Sequence, residues 1–137
     1  MTVRPYTKAL DRLKSVGLRP TRQRLGLGRL LFEGGDRHVT AEELHGQAVT
    51  AGLRVSLATV YNTLNLLAER GVVRQLAADG QRTWFDSNVS PHFHFQDVET
   101  GALSDIAPPE VQFERLPPPP PGMEYAGIEL FIRLRRV

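Results

Sequence analysis

The residues best suited to chemistry in this chain of 137 residues are two histidines, His92 and His94, which are separated by one residue. The surrounding pattern predicts a strand, so both imidazoles project from one face, about 7 Å apart along the chain. Rings at that spacing can converge on one metal ion if further ligands come from elsewhere. The chain has no cysteine, and histidines with carboxylates suit iron, manganese or zinc. Taken alone, the pair favours two surface histidines on a short strand over a metal site.

The remaining ligands of such a site have to come from other histidines or from carboxylates: His38, His45, Asp86, Asp97, Glu99 and Glu110. His38 lies at the start of the third predicted helix and Asp86 at the end of a predicted hairpin. Both are therefore near the junction between the two halves of the chain, where His92 also begins. The sequence leaves the choice among these candidates open.

An enzymatic site is the alternative, because His92 and His94 followed by Glu99 resemble part of the metal-binding motif of cupin oxygenases. That motif also has a glycine six residues before the first histidine and another seven residues after the glutamate. Asp86 and Ile106 occupy those positions here. Too few strands follow to build a cupin barrel, so a small metal-dependent enzyme is the weaker interpretation.

A second group of side chains is suited to contact with nucleic acid. Four short polar residues are predicted on one face of a helix: Ser56, Thr59, Asn62 and Thr63. Short donors and acceptors near the start of a helix match base edges in the major groove, and Tyr61 can offer its ring to a thymine methyl. Arginines would hold the phosphates: Arg19 and Arg22 near the N-terminus, Arg74 and Arg82 on the hairpin. Taken alone, such a face is also typical of a solvent-exposed helix.

The elements that must position these residues can be predicted from periodicity and from capping residues. Four helices are expected, over 3–16, from Thr21 to Phe32, from Thr40 to a stop at Gly52, and from Ser56 to Gly71. Two short strands, 72–76 and 82–85, flank Asp79-Gly80 and predict a β-hairpin. Short helices followed by a hairpin are the plan of a winged helix.

The rest of the chain is predicted to form strands and turns. Residues 92–98 and 102–106 form a second hairpin around Glu99-Thr100-Gly101, and 117–121 are five consecutive prolines that indicate a stiff extended connector. A last strand alternates with its apolar side chains inward: Ile128, Leu130, Ile132 and Leu134. A sheet of three short strands has exposed edges and is marginal alone, so pairing with a second copy of the chain is expected.

The net charge of +2 is the sum of two unlike halves. Residues 1–86 carry 13 basic and 8 acidic side chains, whereas residues 87–137 carry 4 and 7. Since 15 of the 17 cations are arginine, the basic half is suited to phosphate. The predicted fold class is α+β, with a winged-helix DNA-binding domain over 1–86 and a small α/β dimerisation and sensing domain over 87–137. No segment predicts a membrane span, and a soluble cytoplasmic protein is expected.

Four stretches in the right order resemble the ferric uptake regulator (Fur) family: 18–24, 38–44, 57–64, and Phe85-Asp86 leading into 92–94. Within that family the chain is most similar to the iron response regulator (Irr) branch. The marks of that branch are 60–65, 84–88, the His-x-His pair and the proline-rich segment before the last strand.

This resemblance implies a homodimeric transcriptional regulator that binds a double-stranded DNA operator and is not an enzyme. It implies a recognition helix carrying Thr59 and Tyr61, with Tyr61 reaching bases, and one divalent-metal site per chain at four residues: His38, Asp86, His92 and His94. It also implies control of iron and haem homeostasis genes, with haem acting through His92 and His94.

The chain also departs from the family. The first cysteine pair of the family falls at Asp97 and Thr100, so no structural zinc site built from cysteine is expected. The resemblance also implies a second metal site in many relatives. Phe93 occupies the position of one ligand of that site, although Glu110 is retained nearby. Asn62 replaces an arginine that is common in other branches. The resulting hypothesis is a hinge in which a metal held by residues of both domains sets the separation of the two recognition helices. The alternatives are a constitutive DNA binder and a small metal-dependent enzyme.

Overall fold

The computed structural model describes residues 6–76 and 82–137. The chain divides into two compact units, Met1–Val89 and Ser90–Val137, and the boundary expected from the sequence is three residues earlier. In the described ranges, no helix is long and apolar enough to cross a membrane. The first predicted residues of the N-terminal helix, Val3 and Arg4, lie outside the described residues, as does the Asp79-Gly80 turn.

The first unit is a winged helix. Its elements are α1 (Thr7–Ser15), α2 (Arg22–Phe32), β1 (His38–Thr40), α3 (Ala41–Thr50), α4 (Leu57–Glu69), β2 (Arg74–Leu76) and β3 (Trp84–Asp86). The strands form an antiparallel sheet in the order β1-β3-β2. The four helices and the pairing of the hairpin strands are confirmed. Strand β1 was not predicted, because three residues directly before a helix are too few to show an alternating pattern.

Three hydroxyl side chains fix where the helices begin. Thr21, Thr40 and Ser56 each accept a hydrogen bond from the backbone N–H three residues later, at 3.2, 3.2 and 3.1 Å. Such N-caps satisfy a donor that the first turn leaves unpaired. Helix α4, which carries the predicted recognition residues, is therefore anchored by Ser56.

Close packing of α1 against α2 explains a glycine that weakens α2 as a helix. A Cβ atom on Gly28 would lie 2.8 Å from the Cβ of Ala9, so only glycine allows this approach. The buried residues of α1 are accordingly Ala9 and Leu13. Tyr6, which belongs to the helix predicted over 3–16, is the N-cap residue of α1 and is 40% exposed, so it lies outside this buried contact.

The second unit is a three-stranded sheet made of β4 (Phe93–Asp97), β5 (Leu103–Ile106) and β6 (Phe131–Leu134), in the order β5-β4-β6. Its helical part is a single 3-10 turn, Pro108–Glu110. The second hairpin is confirmed as an antiparallel β4–β5 pair. Strand β6 pairs with β4 in parallel, and residues 117–121 form neither helix nor strand.

The two faces of this sheet differ. The register puts His94, Asp105 and Phe131 on one face, and Phe95 and Ile132 on the other. The expected inward positions of the last strand are 36–46% exposed at Ile128, Ile132 and Leu134. Their predicted burial is therefore wrong for a single chain, because within this unit no helix of the described residues covers that face.

Candidate metal ligands and nucleic-acid interface

The first unit brings two of the predicted metal ligands together across its sheet. His38 on β1 and Asp86 on β3 are register partners, and His38 Nε2 lies 3.1 Å from Asp86 Oδ2. Asp86 is fully buried, and its other oxygen, Oδ1, accepts a hydrogen bond from the backbone N–H of Asn88 at 2.9 Å. A buried carboxylate requires a cationic or donating partner. We call His38 and Asp86 the β1–β3 ligand pair.

The second unit brings the other two predicted ligands together with a third. His92 and His94 have ring centroids 4.6 Å apart, and their Nε2 atoms lie 3.4 and 3.7 Å from the same oxygen, Asp105 Oδ1. All three residues offer ligand atoms within 4.8 Å of one another. These residues form the β4–β5 ligand group. His94 is also held in place by stacking on Phe131, with ring centroids 5.4 Å apart.

The hydrogen bond of His92 indicates which of its nitrogens can bind a cation. His92 Nδ1 lies 2.6 Å from the carbonyl oxygen of Ser90, and because a carbonyl only accepts, Nδ1 carries the proton. The Nε2 atom of a neutral His92 then points a lone pair at the Asp105 carboxylate. Two acceptors in this arrangement repel unless a second proton or a metal ion lies between them. A hydrogen bond from the second ring nitrogen to a carbonyl is also the usual way in which a metal-binding imidazole is oriented.

Asp105 is a candidate ligand that sequence reasoning missed. The predicted second hairpin contained the information, because a turn at 99–101 that pairs Gln96 with Leu103 also places Asp105 opposite His94. Two of the candidates left open by the sequence have other partners. Asp97 lies three residues from His94, on the opposite face of β4, and both Asp97 and Glu99 bind Arg136 at 2.9 Å.

His45 also has another role, since its Nε2 lies 3.1 Å from the carbonyl oxygen of Val55. This contact ties α3 to the residue that precedes the N-cap of α4. Glu110 ends the 3-10 turn and is exposed.

The N-terminal part of α4 presents part of the predicted DNA-reading face. Asn62 is exposed and Thr59 is half-buried. Ser56 donates a hydrogen bond to Thr59 Oγ1 at 2.9 Å, in addition to its capping role. Thr63 is only 7% exposed, so its predicted place on the polar face is wrong. At 100° per residue it lies beside Val60 and Leu67, on the buried side of the helix.

Tyr61, the residue expected to reach bases, makes a hydrogen bond within the first unit. Its hydroxyl donates to Glu42 Oε1 at 2.7 Å. This bond raises the pKa of Tyr61 and is the main reason that the pKa of Glu42 is lowered. Tyr61 therefore stays a neutral phenol and Glu42 a carboxylate at neutral pH.

Of the four arginines predicted to hold phosphates, three are exposed and one is half-buried. Arg19, Arg22 and Arg82 are exposed, and Arg74 is half-buried. The first 24 residues carry seven basic side chains, and two of these have structural partners: Arg12 lies 4.7 Å from the centre of the Phe32 ring, and Arg24 donates to the carbonyl oxygen of Arg19. The sequence therefore overstates how many cations of this segment are available to DNA.

The first unit thus has the winged-helix form of a DNA-binding domain, and the second is a sheet with histidine and carboxylate donors on one face. Together they define a two-part architecture, a winged-helix DNA-binding domain followed by a dimerisation domain. Three proteins illustrate the similarity. The ferric uptake regulation protein of Rhizobium leguminosarum bv. viciae is 31% identical over 97 residues, which are 70% of this chain and 68% of that protein. The peroxide-responsive repressor PerR of Staphylococcus aureus is 31% identical over 111 residues, 80% of this chain and 74% of that protein.

The solved structure of the ferric uptake regulator from Pseudomonas aeruginosa with manganese superposes with a TM-score of 0.72 at 26% identity, covering 93% of this chain and 97% of that one. The sequence profile of the ferric uptake regulator family matches residues 15–116. The chain belongs to this family, whose members are metal-responsive transcriptional regulators.

Proposed function

We propose that this chain is a homodimeric transcriptional regulator that binds an operator in double-stranded DNA and responds to a divalent metal. The observation that carries the proposal is the β4–β5 ligand group. Two imidazoles and a carboxylate converge within 4.8 Å on one sheet face, in a chain whose first unit is a winged helix. Neither an apolar core nor an ordinary surface hairpin requires two imidazoles and a carboxylate to lie this close together.

The proposed metal site takes ligands from both units: His38 and Asp86 from the first, and His92 and His94 from the second, with Asp105 as an additional candidate. Neither group alone offers the four ligands that a protein metal site of this kind usually has. Only five residues separate Asp86 from His92, which keeps the two groups within reach of each other along the chain. Imidazole and carboxylate donors fit iron, manganese or zinc. A bound cation would supply the positive charge that holds these donors together.

The further assignment to the iron response regulator branch, with control of iron and haem homeostasis genes, rests on the sequence resemblance. The same resemblance is the basis for proposing that haem binds at His92 and His94. The two histidines are 7% and 2% exposed, so an Nε2 atom would reach a haem iron only after the strands that bury it had moved. A divalent metal requires no such opening, and it is the ligand that the geometry favours.

The homodimer is supported by the apolar face of the second unit. Phe93 and Phe95 are half-buried on β4, and Ile132 and Leu134 of β6 are exposed on the same face. Covering such a face with its own copy would give a three-stranded sheet the core that it lacks.

DNA binding is proposed through seven residues of the first unit: Arg19, Arg22, Ser56, Thr59, Tyr61, Asn62 and Arg82. The arginines would hold phosphates, and α4 would read base edges from the major groove. Because the hydroxyls of Ser56 and Thr59 are hydrogen-bonded to each other, the exposed amide of Asn62 and the ring of Tyr61 are the principal candidates for base contacts.

The decisive experiment combines metal analysis with DNA binding on the full chain. A duplex is first selected from a randomised DNA library. Its affinity is then measured with Fe²⁺, Mn²⁺, Zn²⁺ or haemin added separately, and the bound metal is determined for each sample. We expect one divalent ion per chain and a change in DNA affinity of about 5- to 150-fold on metal binding.

The double variant His92→Ala, His94→Ala should lose both the metal and the change in affinity, whereas His45→Gln, which removes a histidine outside the proposed site, should keep both. Unchanged metal content and unchanged affinity in the double variant would overturn the proposal. A sequence-selective DNA affinity that neither chelator nor haemin changes would instead indicate a constitutive DNA binder. Bound metal without salt-dependent DNA affinity would indicate an enzyme.

A further inference from the structure

The surface of the first unit carries a short hydrogen bond between α3 and α4 that no capping role explains. Tyr61, in the second turn of α4, donates to Glu42, the second residue of α3, at 2.7 Å. The two residues are 19 positions apart in the sequence, so this bond is a tertiary contact. A neutral hydroxyl that donates to a carboxylate makes one of the stronger kinds of hydrogen bond.

Glu42 also interacts with a second group that is expected to contact DNA. Arg82 contributes electrostatically to the lowered pKa of Glu42. Glu42, Tyr61 and Arg82 line one cleft of about 420 Å³, together with Thr40, Glu43 and Thr83. One carboxylate therefore lies beside a proposed base contact from α4 and a proposed phosphate contact next to the wing strand β3.

This contact restricts the orientation of an aromatic ring that packing holds only in part. Tyr61 is half-buried and packs against the core on one side, and the bond to Glu42 fixes its hydroxyl end. A side chain that is ordered before binding avoids the entropic cost of ordering it on the DNA. The bond to Glu42 can therefore determine how selectively Tyr61 discriminates among base steps.

We propose that Glu42 is a positioning residue for DNA sequence selectivity: through its hydrogen bond it holds Tyr61 in the orientation that reads the operator. Glu42 itself contacts no base in this proposal. The inference rests on the proposed function, because it requires Tyr61 to lie at a DNA interface.

The test measures a selectivity ratio with the full chain and Mn²⁺. A duplex is selected from a randomised library by the wild-type protein, and the ratio compares its affinity with that of a scrambled duplex at one salt concentration. The variant Glu42→Ala should lower this ratio by about threefold to tenfold, the range expected for the loss of one hydrogen bond. Tyr61→Phe, which keeps the ring but removes the donor, should lower it similarly, and the double variant should lower it no further.

Two matched variants separate positioning from general effects of charge and stability. Glu42→Gln keeps an acceptor without the charge and should restore most of the ratio. Glu43→Ala removes a carboxylate from the same helical turn and the same cleft, and should leave the ratio unchanged. A DNA-free measurement supports the comparison: in Glu42→Ala one of the three tyrosines should titrate at lower pH than in the wild type, because the bond that raises its pKa is lost.

The outcomes are distinct. An unchanged ratio in Glu42→Ala, or an equal fall in Glu43→Ala, overturns the positioning role while the proposed function stands. If the wild-type chain enriches no sequence at all, the proposed function fails, and this inference fails with it.

Discussion

The two units bury different kinds of side chain. In the first unit, α1 to α4 and the wing close around a continuous apolar core whose large members include Leu27, Leu44, Leu64 and Phe85, all 0–1% exposed. In the second unit, which lies wholly within the described residues, the buried residues are His92, His94, Gln96 and a single apolar residue, Ile106. The first unit is stabilised mainly by the hydrophobic effect, whereas the second buries polar side chains that include two of the proposed metal ligands.

The two units therefore obtain their stability from different sources. Burial of aliphatic side chains stabilises the winged helix without a ligand. A three-stranded sheet with one buried apolar residue has little such stabilisation of its own, and the proposed second copy or cation would add to it. A ligand that binds only the folded form of a domain stabilises that form. The proposed cation would therefore make the stability of the second unit respond to metal.

The largest expected effect is the loss of a core side chain from the first unit. Leu64→Ala should lower the free energy of unfolding by about 2–5 kcal/mol, because Leu64 is fully buried in the core. Chemical denaturation followed by the fluorescence of Trp84 measures it. Ile132→Ala, a similar truncation at a residue 38% exposed in the second unit, should change that transition much less. Equal losses would contradict the division into two differently stabilised units.

A charge on the apolar face of the second unit should weaken the proposed dimer. Leu134→Asp is expected to raise the dissociation constant about 10- to 100-fold, since an interface rarely compensates a buried unpaired carboxylate. Analytical ultracentrifugation over a concentration series measures it. Met123→Asp is the control, because Met123 is exposed but outside the sheet. A dimer that tolerates Leu134→Asp and dissociates with the control would place the interface elsewhere.

Overpacking at the α1–α2 contact should have a smaller effect on the first unit. Gly28→Ala gains helix propensity but forces its new Cβ to within 2.8 Å of the Ala9 Cβ. The net loss should be about 1–2 kcal/mol. Gly46→Ala, at a helical position with nothing within 4 Å, should instead stabilise by up to about 1 kcal/mol. Thermal unfolding of both variants checks the opposite signs.

The smallest effect concerns the turn between β4 and β5. Hydrogen bonding from the backbone N–H of Glu99, and then from Arg136, lowers the pKa of Asp97. A carboxylate whose pKa is lower in the folded state stabilises the fold above its unfolded pKa of about 3.9, and this contribution disappears as the pH falls through the folded value.

Protection of the Glu99 and Thr100 amides, measured relative to the intrinsic exchange rate at each pH, should therefore fall in acid in the wild type, and Asp97→Asn should remove most of that change. An unaltered pH profile in Asp97→Asn would show that the turn is maintained by other contacts.

Much of the fold could be predicted because its determinants are local. Thr40 and Ser56 cap helices as predicted, Thr21 caps the helix predicted to begin there, and Gly17 follows α1 with a positive φ of 74°. The missed features, β1 and the parallel β4–β6 pair, are defined by partners distant in the sequence. Local contacts likewise explain the two positions at which the family resemblance implies a cysteine pair. Asp97 and Thr100 hold the turn through hydrogen bonds to the backbone N–H groups of Glu99, Thr100 and Ala102.

The candidate sites were predictable to the extent that one strand or one helix contains them. His92 and His94 share a strand, and their common face follows from its period. Asp105 required the register of a hairpin, and the Glu42–Tyr61 bond required the packing of two helices. The error at Thr63 has a similar cause, because a polar side chain next to an apolar stripe can be covered by neighbours that the sequence of one helix does not show.

The parallel pairing of β6 with β4 also affects the order in which parts of the chain fold. Strand β4 reaches its first neighbour, β5, across five connecting residues, 98–102, but reaches its second neighbour, β6, only after the longer segment 107–130. Closing that longer loop costs more chain entropy. As the chain leaves the ribosome, the winged helix can fold first, whereas the stacking of Phe131 on His94 forms last. A newly made molecule would thus fold its winged helix before His94, one of the proposed metal ligands, is fully ordered.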